Sequence, residues 1–308
     1  MGLKEDQAAL EALKGRLRII LPEEYQDCYD DLEPVSMGSA SLKYGSDGKV
    51  AWDEIWDHFC DLAMAGGPPH KGTLLEPGSR EEIDMQFDRY RQVAEEICRG
   101  VSMVTDLKVE PAPIPGWIRV DCADGGMAGW LVRAVVMENI SVRLAGSGID
   151  LPAGPGYRIE KEIKNVITVV AKTSHYWLEH MWSGQQLEVA NLLAKMDAES
   201  PLVQPALAGD DFLSDSHLNL SGKMAETIRR TTGLTQSRVQ YPGWLGVECP
   251  DVHAAIWMMR AMVVSNVLSR REGTVLFVPV NPSNDPDGET VVRSLIRIHG
   301  LAAARNVL

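Results

Sequence analysis

The sequence predicts an α+β protein built from two tandem copies of one α-β-α-β-β-α unit. Three observations predict it: one segment returns at a fixed offset, each copy begins on a short alternating strand, and each strand runs into a strongly apolar helix. "PGWIRVDC" at 115–122 returns as "PGWLGVEC" at 242–249, an offset of 127. Without any gap, 17 of the 59 positions in 115–173 are identical to their partners in 242–300. Average residue usage would give roughly three or four identities. A period of 127 is too long for a solenoid, so the expectation is a duplicated domain.

The elements follow in order. A helix near 80–104 precedes the first copy and one near 221–231 the second. "WIRVDC" sets apolar Ile118 and Val120 against Arg119 and Asp121, the alternation of a strand. Asp124 and Asp251 stand where the next helix needs an N-cap. The helices at 126–139 and 253–266 are apolar on nearly every side, which marks them as buried, and Asn139 and Asn266 sit at their ends as C-terminal caps. Trp117, Trp130, Trp244 and Trp257 read as core anchors. "SVRLAGSGIDLPAG" and "LSRREGTVLFVPVN" read as hairpins turning at Gly146 and Gly273. A loop rich in Pro and Gly then leads to a last helix at 160–182 or 287–304. The pattern is ferredoxin-like, a split βαβ with a different ending; the analogy is one of pattern alone. The expected domains are an N-terminal helical segment 1–78, a first repeat 79–196, a linker 197–211 and a second repeat 212–308. Within the first, "VAWDEIWDHFCDLAMAGG" places Trp52, Ile55, Trp56, Phe59 and Leu62 at helical spacing.

Composition narrows the function. The chain of 308 residues is 45% apolar and 24% charged, with a net charge of -13. That is a globular mix, and its sign argues against a nucleic-acid groove, which would be basic. No apolar run approaches the about 20 residues of a membrane span. Five cysteines (Cys28, Cys60, Cys98, Cys122, Cys249) are odd in number and scattered, which reads as reduced thiols and a cytoplasmic protein. The GxSxG, HExxH, GxGxxG and Walker patterns are absent, so no cofactor or reaction type is assigned.

The candidate site is a polar stripe on "EIKNVITVVAKTSHYWLEHMW", 162–182. At about 100° per residue, Lys164, Asn165, Thr168, Lys172, His175 and Glu179 fall on one face of this helix. Such a face is ordinarily solvated. At the offset of 127, however, Lys164, Asn165 and Thr168 correspond to Val291, Val292 and Leu295. If both helices dock alike, the stripe points inward, where charge is costly unless paired or functional. The functional reading is a pocket for an anionic metabolite, phosphorylated or carboxylated. Lys164 and Lys172 bind the anion, Asn165 and Thr168 hydrogen-bond it, and His175 acts as general acid or base with Glu179 orienting it, Lys172 counting with them among the catalytic candidates. Arg133, kept as Arg260 in the second copy, is either a structural ion-pair member or a further ligand contact. "AGGPPHKGT" at 65–73 supplies a covering loop with His70 and Lys71. No metal is assigned, because His180 lies about 140° from His175 on a regular helix. The alternative function is a non-catalytic duplicated scaffold that binds itself or a protein partner. Under either reading the apolar helices favour a homo-oligomer, with no membrane or nucleic-acid partner.

Overall fold

A computed structural model of the chain describes residues 3–20, 41–55, 72–206 and 215–308. His70, Lys71 and most of the helical pattern of 52–62 lie outside the described residues, as do positions 207–211 of the expected linker. The fold mixes helix and sheet and divides into two compact units. The first unit comprises Pro34–Ala63 and Gly67–Ala190; the second comprises Met1–Glu33, Met64–Gly66 and Asn191–Leu308. No helix among the described residues is long and apolar enough to cross a membrane.

Helix α1 (Leu3–Ile20) belongs to the second unit. In the first unit a 3-10 turn (Trp52–Ile55) is followed by α2 (Arg80–Met85) and α3 (Phe87–Thr105). Ser79 opens α2 with a reciprocal capping box to Glu82, which satisfies two N–H groups that the first turn leaves orphaned. Strands β1 (Lys108–Pro111) and β2 (Trp117–Asp121) come next, then α4 (Gly125–Met137), β3 (Arg143–Ala145) and β4 (Gly148–Pro152). Helix α5 (Lys164–His175) closes the unit, with π-helical turns at both of its ends, Ile159–Ile163 and Tyr176–His180. Helix α6 (Ser183–Glu199) contains the boundary between the units.

The sheet order is β1-β2-β4-β3, with every neighbouring pair antiparallel. β2 and β3 therefore run parallel to each other, with β4 between them and α4 as the crossover. Ile118 and Val120 of β2 and Ile149 and Leu151 of β4 are fully buried. α4 packs on β3 and β4, α3 on β1 and β2, and α5 against both α3 and α4. The residues of α4 from Met127 to Met137 are all buried, as its lack of a polar side requires.

The second unit holds α7 (Asp215–Thr232), β5 (Trp244–Glu248), α8 (Val252–Val263), β6 (Arg270–Glu272), β7 (Val275–Pro279) and α9 (Glu289–Ala304). Its sheet order is β5-β7-β6, again antiparallel, and α9 packs on α7 and α8. Local chemistry recurs between the units. Asp124 accepts from the Met127 N–H and Asp251 from the Ala254 N–H, both at 2.8 Å. Asn139 and Asn266 have φ of 57° and 60°, a left-handed turn that Asn tolerates better than most residues. Beyond these turns the Leu75 N–H bonds the Asn139 carbonyl, and the Val203 N–H the Asn266 carbonyl, each at 2.8 Å.

One strand was not in the expected order. β1 is the sequence "KVEP", too short and too charged to show a period of two, and its pairing to β2 is what makes it a strand. The first unit therefore reads α-β-β-α-β-β-α. At 235–237 the second unit bonds to β5 in the same register, Ser237 N–H to the Gly246 carbonyl and Glu248 N–H to the Thr235 carbonyl, without forming a full strand.

Candidate functional site

The stripe lies on α5, and the structure separates it into a buried part and an accessible end. Lys164, Thr168 and Lys172 are buried and Asn165 is half-buried. The Thr168 hydroxyl donates to the Lys164 carbonyl one turn back at 2.5 Å, so its proton is committed to its own helix. Burial pushes the Lys164 ammonium below its ordinary pKa, because the charged form loses solvation.

Lys172 has a carboxylate of its own. Its Nζ lies 2.5 Å from Glu138 Oε1, and the two side chains are 1% and 3% exposed. Glu138 follows the last residue of α4, so the pair ties the end of α4 to the middle of α5. The charge of Lys172 is thus met by a carboxylate within the first unit. Sequence reasoning missed Glu138, although a signal existed: at the offset of 127 Glu138 corresponds to Ser265 and Lys172 to His299, so both partners change together. Arg133 is 1% exposed and its Nη1 donates to the Gly129 carbonyl at 2.6 Å, an anchor within its own helix.

The accessible end is the π turn Tyr176–His180. The Met181 N–H bonds the Tyr176 carbonyl at 3.0 Å, the i→i+5 pattern of a π turn, which recurs at functional sites. The wider turn overturns the expectation that His180 points away from His175. Their ring centroids are 5.0 Å apart and their Nε2 atoms 3.3 Å apart. His175 Nδ1 meets Glu179 Oε1 at 3.0 Å, with side chains 38% and 66% exposed. Tyr176 stacks on His180 on one side, with centroids 6.1 Å apart, and on Trp130 at 5.6 Å. Trp130 and Tyr176 are buried, so the accessible imidazoles stand on a fixed aromatic base.

Two further arrangements bear on function. Asp150, fully buried, is clasped by Arg119 and by Arg143, the latter at 2.6 Å; the cluster is closed on itself and crosses β2, β4 and β3. In the second unit a cavity of about 310 Å³ is lined by His217, Ser221, Gln236, Tyr241, Trp244 and Gly246 among others. Gly246 stands where the first unit has Arg119, and a Cβ there would lie 2.8 Å from the Phe277 ring. Its lining contains no Lys, Arg, Asp or Glu, so it offers an anion no permanent charge.

Comparison of the chain with profiles of known protein families, with curated proteins and with solved structures finds no match.

Proposed function

We propose that the protein binds, and performs acid–base chemistry on, an anionic small metabolite at the C-terminal end of α5. The observation that carries this reading is the His175–Glu179 contact at 3.0 Å on a half-exposed imidazole. A carboxylate on Nδ1 orients the ring and sets its tautomer, which leaves Nε2, 3.3 Å from the His180 Nε2, as the nitrogen for proton transfer. His180 supplies the second imidazole, and its proximity through the π turn supports a shared ligand. The two imidazoles take over the anion contact first assigned to the lysines. Lys164, Asn165 and Thr168 support the buried turns behind them, and the Lys172–Glu138 pair holds α5 at a defined rotation.

The reading places this site in one of two units that derive from an internal duplication. The recurring caps, left-handed asparagines and strand order support that origin, and the parallel β2 and β3 around β4 support the ferredoxin-like split βαβ. A thermal-shift screen tests the function: phosphorylated and carboxylated metabolites against wild type and His175→Ala. A ligand that binds the folded state raises the melting temperature. The reading expects such a rise in wild type and its loss in the variant; a rise kept in His175→Ala would move the site elsewhere.

One observation favours a second reading, a self-assembling scaffold in the cytoplasm. Leu178, Trp182 and Leu187 are 44%, 67% and 61% exposed within ten residues of one another, an apolar surface of the kind that marks contacts between chains. Sedimentation of wild type against Trp182→Ser distinguishes it, since only the scaffold reading requires the assembly to be lost.

A further inference from the structure

We propose that His175 and His180 form a two-imidazole site for a divalent first-row transition cation, with Glu179 as the carboxylate behind it. The inference rests on the reading of this surface as a ligand site and names what completes it.

The geometry argues for it in three ways. First, the two Nε2 atoms are 3.3 Å apart. Imidazole nitrogens this close share either one proton or one cation. Metal–nitrogen bonds of about 2.0–2.1 Å at a tetrahedral angle hold two ligand nitrogens about 3.3–3.4 Å apart, so the observed separation is already that of a tetrahedral edge. Second, His175 Nδ1 is engaged by Glu179 at 3.0 Å. Metal-bound histidines commonly donate the second ring N–H to a carboxylate, which fixes the tautomer and makes the ligating nitrogen more basic. With the proton on Nδ1, the Nε2 lone pair of His175 points toward His180. Third, the π turn is what brings the rings together, since side chains five residues apart on a regular helix diverge by about 140°. Tyr176, stacked on His180, then holds the second ring in place.

Imidazole ligands select zinc, nickel and copper over magnesium and calcium. Among the described residues no group of three or more His, Cys, Asp and Glu side chains surrounds one point, so two coordination positions fall to water or to ligand oxygens. An open position of this kind is what a metal that acts on a substrate keeps. The cation would accept a phosphate or carboxylate oxygen directly, and the net charge of -13 raises the local cation concentration around the chain.

The test is a titration of metal-free, full-length protein with Zn²⁺ at neutral pH against a chromophoric chelator. Wild type, His175→Ala, His180→Ala, Glu179→Gln and His299→Ala are compared. The proposal expects one equivalent of binding in wild type and at least a tenfold loss in each of His175→Ala and His180→Ala. Glu179→Gln should weaken binding about tenfold, and His299→Ala should leave it unchanged. In parallel, the imidazole resonances of the two histidines should shift together on adding Zn²⁺ to wild type, which needs no variant to fold. Absence of binding, or binding retained in either His175→Ala or His180→Ala, overturns the proposal. A metabolite shift in metal-free wild type with no Zn²⁺ binding overturns this inference alone and leaves the acid–base reading standing. Zn²⁺ binding with no metabolite shift supports the cation site and overturns the acid–base reading.

Discussion

Replacing Lys172 by Met removes the cation of a buried pair and takes from Glu138, 3% exposed, its ion-pair contact at 2.5 Å. Methionine fills most of the volume of the lysine stem, so little cavity forms and the loss is electrostatic. Breaking a buried pair from one side costs about 3–5 kcal/mol, whereas replacing both partners by apolar groups of similar shape is often neutral or stabilising. The first unit has about 150 residues, and at that size each kcal/mol moves the melting temperature by about 2–4 °C. Lys172→Met should thus lower the melting temperature of this unit by about 6–20 °C. Adding Glu138→Leu should restore most of it. A double-mutant cycle by chemical denaturation, with Glu138→Leu as the second single variant, isolates the coupling. A loss below about 1 kcal/mol, the worth of a solvated surface pair, would refute the reasoning, because the pair would then be in contact with water. The same variant probes the site: if Lys172 positions α5, ligand affinity should fall together with stability and recover in the double variant.

Other outcomes follow from the same structure. A Cβ on Gly100 would lie 2.2 Å from Ile167 Cδ1 and 3.0 Å from Trp52 Cδ1, so Gly100→Val should cost about 1–3 kcal/mol by overpacking; urea denaturation reads it, and adding Ile167→Ala should recover part of the loss. Burial pushes the thiol of Cys98 up to about 11 and those of Cys122 and Cys249 up to about 12. At a pH near 8 all three should be thiols and alkylate far more slowly in the folded protein than in denaturant; peptide mass spectrometry locates the label. Burial also lowers the pKa of His299 below its ordinary 6.5, so unfolding takes up a proton there. Its contribution is complete above about pH 6.5 and is lost as pH falls through the depressed folded value. His299→Leu should therefore flatten the fall in melting temperature on acidification, and an unchanged slope would assign the acid sensitivity to other groups.

Much of the framework is legible in the residues. The caps Asp124 and Asp251, the turns at Asn139 and Asn266, the buried apolar helices and the strand pair around Gly146 depend on short-range chemistry. Hydrogen bonds to the nearest N–H groups, left-handed dihedrals and side-chain periodicity act within a few residues, so a linear reading reaches them. β1 was not legible because "KVEP" has no pattern of its own and becomes a strand only by pairing with β2. At the candidate site, the inward turn of the stripe could be read from the apolar residues Val291, Val292 and Leu295 at the offset of 127, since burial leaves a compositional trace. Two decisive facts could not. Glu138 reaches Lys172 across 34 residues of chain, a meeting that depends on how α4 and α5 pack. His180 reaches His175 because the backbone widens into a π turn, and a wheel of 3.6 residues per turn assigns those side chains to different faces. The sequence by itself determined the main helices, the turns and the strands other than β1, and where polar chemistry is concentrated, because these follow from local propensity and periodicity. Only the tertiary structure decided which charges neutralise one another and which imidazoles stand together, because those outcomes depend on distances between residues whose separation along the chain does not set their separation in space.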